Sequence, residues 1–347
     1  MLLFVLLLAG LWSGAWYGLT GLLRDRFETS LVAARAQGWV VSAGRPVRAG
    51  FPLAVALVVP GVTGAGGGAM PVAGSVHARR LELAVALAHP ATLAITFPEG
   101  FEVRRGHGPP IEVRATTLVG TVPLIGSHRI TVAATGLTVA SAGRTDASVT
   151  RARVVLAPRG PDLGFGISAT GLGLPPNGLA SGGLASGGLA PGGWPLGNRI
   201  AVLRADGVAT GALAAPPANG VQGTVGWLEA WRTRGGALLL DRLVLDWGTL
   251  GLTGSGRVAL DAALQPDATA TLDVQGYNEA IAAMVRTRAV APGPALAAQF
   301  ALGLLAKPGK AGAPPRIHVT AALHGGRLTL GGVELGRVAK LSWSGMP

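Results

Sequence analysis

The sequence predicts a mainly β protein, in which an N-terminal transmembrane helix precedes an elongated, mostly antiparallel β-sheet. Three observations lead to this fold class. Residues 2–23 carry no charged side chain. From residue 50 to residue 260, apolar residues recur at every second position, in runs about 10–13 residues apart. The chain also holds 55 glycines and 24 prolines in 347 residues, which divide it into many short segments.

The uncharged N-terminal segment is long enough to cross a bilayer, because about 20 apolar residues span one as a helix. It is also longer than the apolar core of a cleavable signal peptide. We therefore predict a retained membrane anchor that continues as a helix, so that this element covers residues 1–37. Its anchoring side chains are predicted to be Leu2, Leu3, Phe4, Val5, Leu6, Leu7, Leu8, Leu11, Trp12 and Trp16.

Residues 38–347 are predicted to form one β-rich domain, either an open trough or a sandwich. A five-residue Gly-Leu-Ala unit repeats three times within residues 178–192, and this predicts a low-complexity loop over residues 173–198. Two apolar runs of helical spacing flank a Pro-Gly-Pro at residues 292–294. They predict a helix hairpin over residues 277–306, inserted between strands.

The net charge is +12, but the arginines are scattered and aromatic residues are sparse. Nucleic-acid binders concentrate basic residues on one stripe and add aromatics for stacking, so we expect no nucleic-acid partner. An arginine-rich surface near lipid would instead meet anionic headgroups, and a codon-usage bias towards arginine and alanine explains the composition at least as well. The chain contains no cysteine, which excludes disulfides and thiolate metal sites.

The sequence contains no motif that fixes a catalytic site. The Gly-rich run at residues 251–256 is interpreted as a turn or bulge within a sheet. His318 and His324 share strand parity, and we interpret them as solvated surface residues. A group of carboxylates could support a hydrolase, although each lies at a turn, a strand end or beside an arginine: Asp241, Asp246, Asp261, Asp267 and Asp273. We expect no catalytic residue, no cofactor and no metal.

Two stretches of sequence resemble a known bacterial family. Residues 38–52 end in a Gly-Phe-Pro step, and residues 246–276 contain a Trp-Gly pair followed by spaced glycines. Together they resemble the family of domain of unknown function 2125, over most of the chain. The positions that carry the resemblance are Gly50, Phe51, Pro52, Trp247, Gly248, Gly254, Gly256 and Gly276.

The resemblance implies a single-pass protein of the bacterial inner membrane, with its main domain in the periplasm. Arg24, Arg26 and Arg35 follow the anchor, and this distribution of charge favours the opposite orientation. The long sheet is also similar, more loosely, to the AsmA-like envelope proteins that form grooves for lipid.

The expected function is binding or transfer of lipid along an apolar β-sheet groove in the cell envelope, without enzymatic activity. The expected partners are inner-membrane lipids, including phospholipid acyl chains, and an envelope protein. The alternative is a structural or scaffolding protein that docks partners and holds no ligand.

Overall fold

The protein is described from a computed structural model, which covers residues 2–36, 38–66, 74–105, 108–126, 128–142, 144–175, 194–211, 220–287, 290, 292–307, 315–338 and 340–341. The chain divides into two compact units. Unit 1 comprises Met1–Arg144 and Ala215–Thr224, and unit 2 comprises Thr145–Ala214 and Val225–Pro347.

Unit 1 contains a long helix, α1 (Leu2–Ala36), and a set of antiparallel strands. The predicted continuous helix is thus observed to Ala36, and Gln37 lies outside the described residues. The described strands of unit 1 are β1 (Trp39–Ser42), β2 (Val47–Ala49), β3 (Ala54–Gly66), β4 (Gly74–Ala86), β5 (Thr92–Thr96), β6 (Phe101–Arg105), β7 (Ile111–Arg114), β8 (Thr117–Pro123) and β9 (Ile130–Ser141).

Short strands lie end to end in the sheet of unit 1. β1 and β2 pair with opposite halves of β3, and β5 and β6 pair with opposite halves of β4. β8 and β7 pair in the same way with the two halves of β9. The breaks between these short strands fall beside Gly61 and Gly136, which both have positive φ. Such irregularities bend a sheet and increase its twist.

The burial pattern of β4 changes between the half that pairs with β6 and the half that pairs with β5. Ala78 and Leu81 of β4 are both buried, whereas Arg79 and Arg80 between them are both exposed. A regular strand would alternate at every residue, so the buried side of β4 changes between Ala78 and Leu81, although the pairing of β4 with β3 keeps one register.

The core of unit 1 lies between α1 and the β3–β4 pair. Leu57 and Val59 of β3 are fully buried with Leu81 and Leu83 of β4. From the helix, Leu23 and Phe27 pack against this cluster. None of the helices within the described residues combines the length and hydropathy needed to cross a membrane.

Unit 2 contains the remaining described elements. Its helices are α2 (Gly220–Thr233), whose first residues belong to unit 1, α3 (Tyr277–Arg286) and α4 (Pro292–Leu305). Its strands are β10 (Arg144–Arg159), β11 (Asp162–Gly173), β12 (Arg199–Ala209), β13 (Ala237–Trp247), β14 (Leu250–Leu260), β15 (Pro266–Gln275), β16 (Ala306–Lys307), β17 (Arg316–His324), β18 (Arg327–Leu330) and β19 (Val333–Arg337).

The strands of unit 2 form one antiparallel ladder. From β10 to β15 each strand pairs with the next, and β15 then pairs with β17. The ladder continues from β17 through β18 to β19, and β16 adds a short pairing to β17. The predicted mainly β, antiparallel architecture is therefore confirmed.

Three elements differ from the predictions or extend them. β1 and β2 precede residue 50, where the strand pattern was predicted to begin, and α2 lies in a stretch for which only strands were predicted. The helices α3 and α4 occupy the residues predicted for a helix hairpin. Their pairing as a hairpin stays a prediction.

The predicted low-complexity loop lies between β11 and β12. β11 ends at Gly173 and β12 begins at Arg199. The backbone N–H of Leu174 donates to the carbonyl of Asn198 (2.7 Å), and the Trp194 indole donates to the carbonyl of Pro175 (2.7 Å). These bonds hold the two ends of the connection together. The repeats themselves lie outside the described residues, because 176–193 are not described.

Candidate functional site

The strand register of unit 2 separates apolar from polar side chains. Directly opposed residues in an antiparallel ladder point to the same side, so the pairings assign each residue to one of two faces. Of the paired strand residues from β10 to β18, those on one side are apolar, except at one end of β10–β12, where Ser148 and Arg199 lie on the same side. We call this side the apolar face: Ala152, Val154, Leu156, Pro158, Leu163, Phe165, Ile167, Ala169, Leu203, Ala205, Gly207, Ala209, Leu238, Leu240, Leu243, Leu245, Leu252, Gly254, Gly256, Val258, Ala268, Ala270, Leu272, Val274, Ile317, Val319, Ala321, Leu323, Leu328 and Leu330.

The opposite side of the same strands, the polar face, carries most of their charged side chains. They are Arg151, Arg153, Arg159, Asp162, Arg204, Asp206, Arg242, Asp246, Arg257, Asp267, Asp273, Arg316, His318, His324 and Arg327. A sheet with one polar side and one apolar side must cover the apolar side with something other than water.

Helices α3 and α4 cover one part of the apolar face. Tyr277 of α3 and Leu302 of α4 are buried in a cluster with Val274, Ile317 and Val319. The cluster lies on β15 and β17, where the sheet is most deeply buried.

Helix α2 packs at another part, near the end of β12. The Trp231 indole donates a hydrogen bond to the carbonyl of Thr210 (2.6 Å). Trp231 is buried, as are Ala209 and Ala237 beside it. Trp227 stacks on Trp231 with nearly parallel rings.

Between these covered parts the apolar face is accessible to solvent. Ile167 on β11 is 40% exposed, and Val154, opposite it on β10, and Leu243 and Leu245 on β13 are partly exposed. The eight strands from β10 to β18 that build the face span about 34 Å at ~4.8 Å per strand spacing. Soluble monomers rarely leave a contiguous apolar surface of such extent uncovered, and larger patches mark binding sites for protein, membrane or ligand.

The candidate catalytic carboxylates are not brought together. Asp273 bonds His318 and Asp267 bonds His324, each at 2.9 Å across the β15–β17 pair. Asp261 accepts hydrogen bonds from two backbone N–H groups of its own turn, and Asp241 lies 3.9 Å from Arg159. The shared parity of His318 and His324 is confirmed, whereas their partners are long-range and could not be identified from spacing.

A small polar cavity lies on the sheet of unit 1. Its volume is about 260 Å³, and its charged lining consists of His77, Arg79, Glu99, Glu102, Glu112 and Arg114. Glu112 and Arg114 form an ion pair of 2.7 Å and are both exposed. Ligand pockets are usually larger and mostly apolar. Among the residues that the structure describes, no cluster of three or more His, Asp or Glu is arranged to hold a metal.

The match to known families covers nearly the whole chain. A family model for uncharacterised proteins conserved in bacteria (DUF2125) matches residues 16–339. The chain belongs to the DUF2125 family. Comparison with curated proteins and with solved structures gave no match in either case.

The DUF2125 match includes all eight positions on which the resemblance was based, and several of these are glycines with no room for a side chain. A Cβ atom on Gly256 would lie 2.6 Å from the carbonyl oxygen of Thr269, and Gly254 is similarly close to Thr271. Both glycines belong to the apolar face. They allow the backbones of β14 and β15 to approach closely.

The other DUF2125 positions shape turns. Gly50 has a φ of 90°, and the Phe51–Pro52 peptide bond that follows it is cis. The Trp247 indole donates to the carbonyl of Gly197 (2.7 Å), and Gly248 beside it has positive φ. Gly276, with a φ of 68°, precedes the first residue of α3.

The DUF2125 match begins at Trp16, one of the predicted anchor residues. Trp16 is 7% exposed, and its indole donates to the carbonyl of Ala54 (2.8 Å). Trp12 bonds the carbonyl of Pro52 (3.0 Å), while Leu11 is exposed. The side chains of the other predicted anchor residues lie outside the described residues: Leu2, Leu3, Phe4, Val5, Leu6, Leu7 and Leu8.

Proposed function

We propose that the protein binds phospholipid acyl chains along the apolar face of unit 2 and helps to transfer lipid in the bacterial cell envelope. In this proposal α1 holds the chain at the inner membrane as a single-pass anchor, and the β-rich part lies in the periplasm. The observation that carries the proposal is the apolar face itself, which extends across eight strands and is accessible at Ile167.

The physical argument rests on the free energy of burying hydrocarbon. Each methylene group that leaves water for an apolar surface contributes about 0.8 kcal/mol. A face of leucine, valine and isoleucine can therefore bind a long acyl chain without any directed polar contact. Most charged side chains of these strands lie on the polar face, where they keep the other side of the sheet in water.

Two further features support this role. The α3–α4 pair, proposed to form a helix hairpin, packs on one part of the apolar face and would limit how far a chain extends towards β17. We also propose, from the looser resemblance of the sequence, that the sheet serves as a groove of the kind formed by AsmA-like envelope proteins. We propose a binding role and no chemical step for the apolar face.

The decisive test compares two exposed apolar residues on opposite sides of the sheet. Ile167 lies on the apolar face and Leu239 on the polar face, and they are 40% and 37% exposed. A photo-crosslinking amino acid placed at residue 167 of the full chain in cells should capture phospholipid, detected by mass spectrometry. The same amino acid at residue 239 should capture none.

Charge substitution at the same pair gives an independent prediction. Ile167→Glu places a carboxylate against the acyl chain, and burying an unpaired charge is strongly unfavourable. We expect a loss of at least about tenfold in lipid that copurifies with the protein, equivalent to ~1.4 kcal/mol. Leu239→Glu should leave copurified lipid unchanged. Equal behaviour of the two variants, or no lipid adduct at residue 167, would favour the alternative of a scaffold that docks a protein partner.

A further inference from the structure

One end of the sheet in unit 1 is formed by three neighbouring turns. They are residues 50–53 before β3, residues 87–91 between β4 and β5, and residues 124–126 and 128–129 between β8 and β9. Hydrogen bonds join them in a row: the Leu87 N–H donates to the Leu53 carbonyl (2.9 Å), and the Leu124 N–H donates to the Ala91 carbonyl (2.8 Å).

The tips of these turns present large apolar side chains to the outside. Leu53 is 73% exposed and Ile125 is 78% exposed. Turn tips normally carry Gly, Pro, Asn, Asp or Ser, which suit the backbone and favour water. We call this set the apolar end, and its exposed members are Phe51, Leu53, Leu87, Leu124 and Ile125.

Helix α1 runs along β3 and continues past the apolar end. Trp12 and Trp16 bond the carbonyls of Pro52 and Ala54, at the start of β3. Further along the helix, Arg35 bonds the carbonyl of Val41, whose strand pairs with the far end of β3. Residues 2–11 of the helix therefore extend beyond the sheet, over about 15 Å at 1.5 Å per residue.

The contacts of Trp12 and Trp16 with the start of β3 determine where a bilayer surface would lie relative to the sheet. The sequence of residues 2–11 is uncharged and rich in leucine. If that part of α1 enters hydrocarbon, Trp12 and Trp16 lie at its boundary, and the apolar end is held beside them. Tryptophan and tyrosine are the aromatic residues enriched at this boundary.

The charges around the apolar end match lipid headgroups. Arg48 lies 4.9 Å from the centre of the Tyr17 ring, which is exposed. His89 and Arg129 are exposed in the turns, and the sequences of the three turns contain no Asp or Glu. Basic side chains near a membrane surface are attracted to anionic lipids.

We infer that the apolar end of unit 1 seats in the interfacial layer of a phospholipid bilayer, so that the sheet meets the membrane directly at Leu53, Leu87 and Ile125. This surface goes beyond the lipid-binding role of unit 2. The inference rests on the proposed membrane location and not on acyl-chain binding by the apolar face.

The test uses the absence of cysteine, which makes any introduced thiol unique. Leu53→Cys, Ile125→Cys and Thr138→Cys are each labelled with an environment-sensitive fluorophore in the full-length chain. Thr138 is exposed on β9, eight residues from the start of that strand, or about 26 Å at ~3.3 Å per residue. The chains are mixed with vesicles of phosphatidylethanolamine and phosphatidylglycerol that carry a quencher on their acyl chains.

Fluorescence at residues 53 and 125 is expected to be quenched by these vesicles, and fluorescence at residue 138 is expected to be unaffected. Equal quenching at all three sites overturns the inference, as does no quenching in chains that float with the vesicles. A change of fluorescence without vesicles that depends on protein concentration would assign the surface to a second copy of the chain and also overturns it. Chains that do not float at all would instead refute the proposed membrane location.

Discussion

Replacing Gly276 with alanine should lower the free energy of unfolding of unit 2 by about 3 kcal/mol or more, through backbone strain and atomic overlap together. Gly276 has a φ of 68° at the start of α3. A Cβ atom there would overlap the carbonyl oxygen of Thr249 in the turn between β13 and β14. Because α3 carries the buried Tyr277, relief of the overlap must displace either that core or the turn.

Gly325 provides the matched control. It also has positive φ (55°), in the turn between β17 and β18, but nothing lies within 4 Å of a Cβ built on it. Gly325→Ala should therefore cost only the backbone strain, roughly 1–2 kcal/mol. Hydrogen exchange of the β14 and β15 amides measures the free energy of unfolding of unit 2 in both variants. An equal loss of protection in both would show that the overlap at Gly276 is relieved without cost.

The period-two pattern predicted the strands of unit 2 well, because it results directly from the geometry of a half-buried strand. What the pattern could not give was the identity of the two faces. Local bulges shift the alternation in β12 and β13, as at Asp241 and Arg242, which are both exposed. The sequence alone does not show which residues share a face on the two sides of such a bulge. The apolar face can therefore be traced only from the strand pairings in the structure.

Helix α2 was missed for a related reason. Its sequence contains Gly220, Gly223 and Gly226, and glycine is a poor helix former. Its position is fixed by tertiary contacts, since Trp231 packs over Gly236 and bonds the carbonyl of Thr210. Such contacts override local propensity and leave no periodic signal.

The N-terminal helix shows the same limit. The length of the helix was predicted correctly from the apolar run and the helical spacing that follows it. The same hydropathy, however, predicted that Trp12 and Trp16 contact lipid. In the structure both indoles bond carbonyls at the start of β3. The only sequence signal was the polar N–H of each tryptophan, which requires a partner when buried. The DUF2125 match from Trp16 onward is consistent with a docked residue.

Leu57→Ala should lower the free energy of unfolding of unit 1 by about 2–5 kcal/mol, the usual cost of a cavity left by a buried leucine. Leu57 is fully buried against Val59, Leu81 and Leu83. Hydrogen exchange of the β3 and β4 amides is the appropriate measurement, because it reports on unit 1 separately from unit 2.

Leu53→Ala is the control, four residues earlier in the same chain segment. Leu53 is largely exposed, so its truncation should change the free energy of unfolding by no more than about 0.5 kcal/mol. An equal cost at both positions would contradict the assigned core.

The Leu57 variant also tests how α1 is held. Leu23 and Phe27 of the helix pack against the cluster that contains Leu57, so a cavity there should loosen the helix as well as the strands. We expect faster exchange in the second half of α1, around Phe27, in Leu57→Ala but not in Leu53→Ala. Because the same packing sets the level of Trp12 and Trp16 against β3, the core of unit 1 fixes the position of the apolar end relative to the helix.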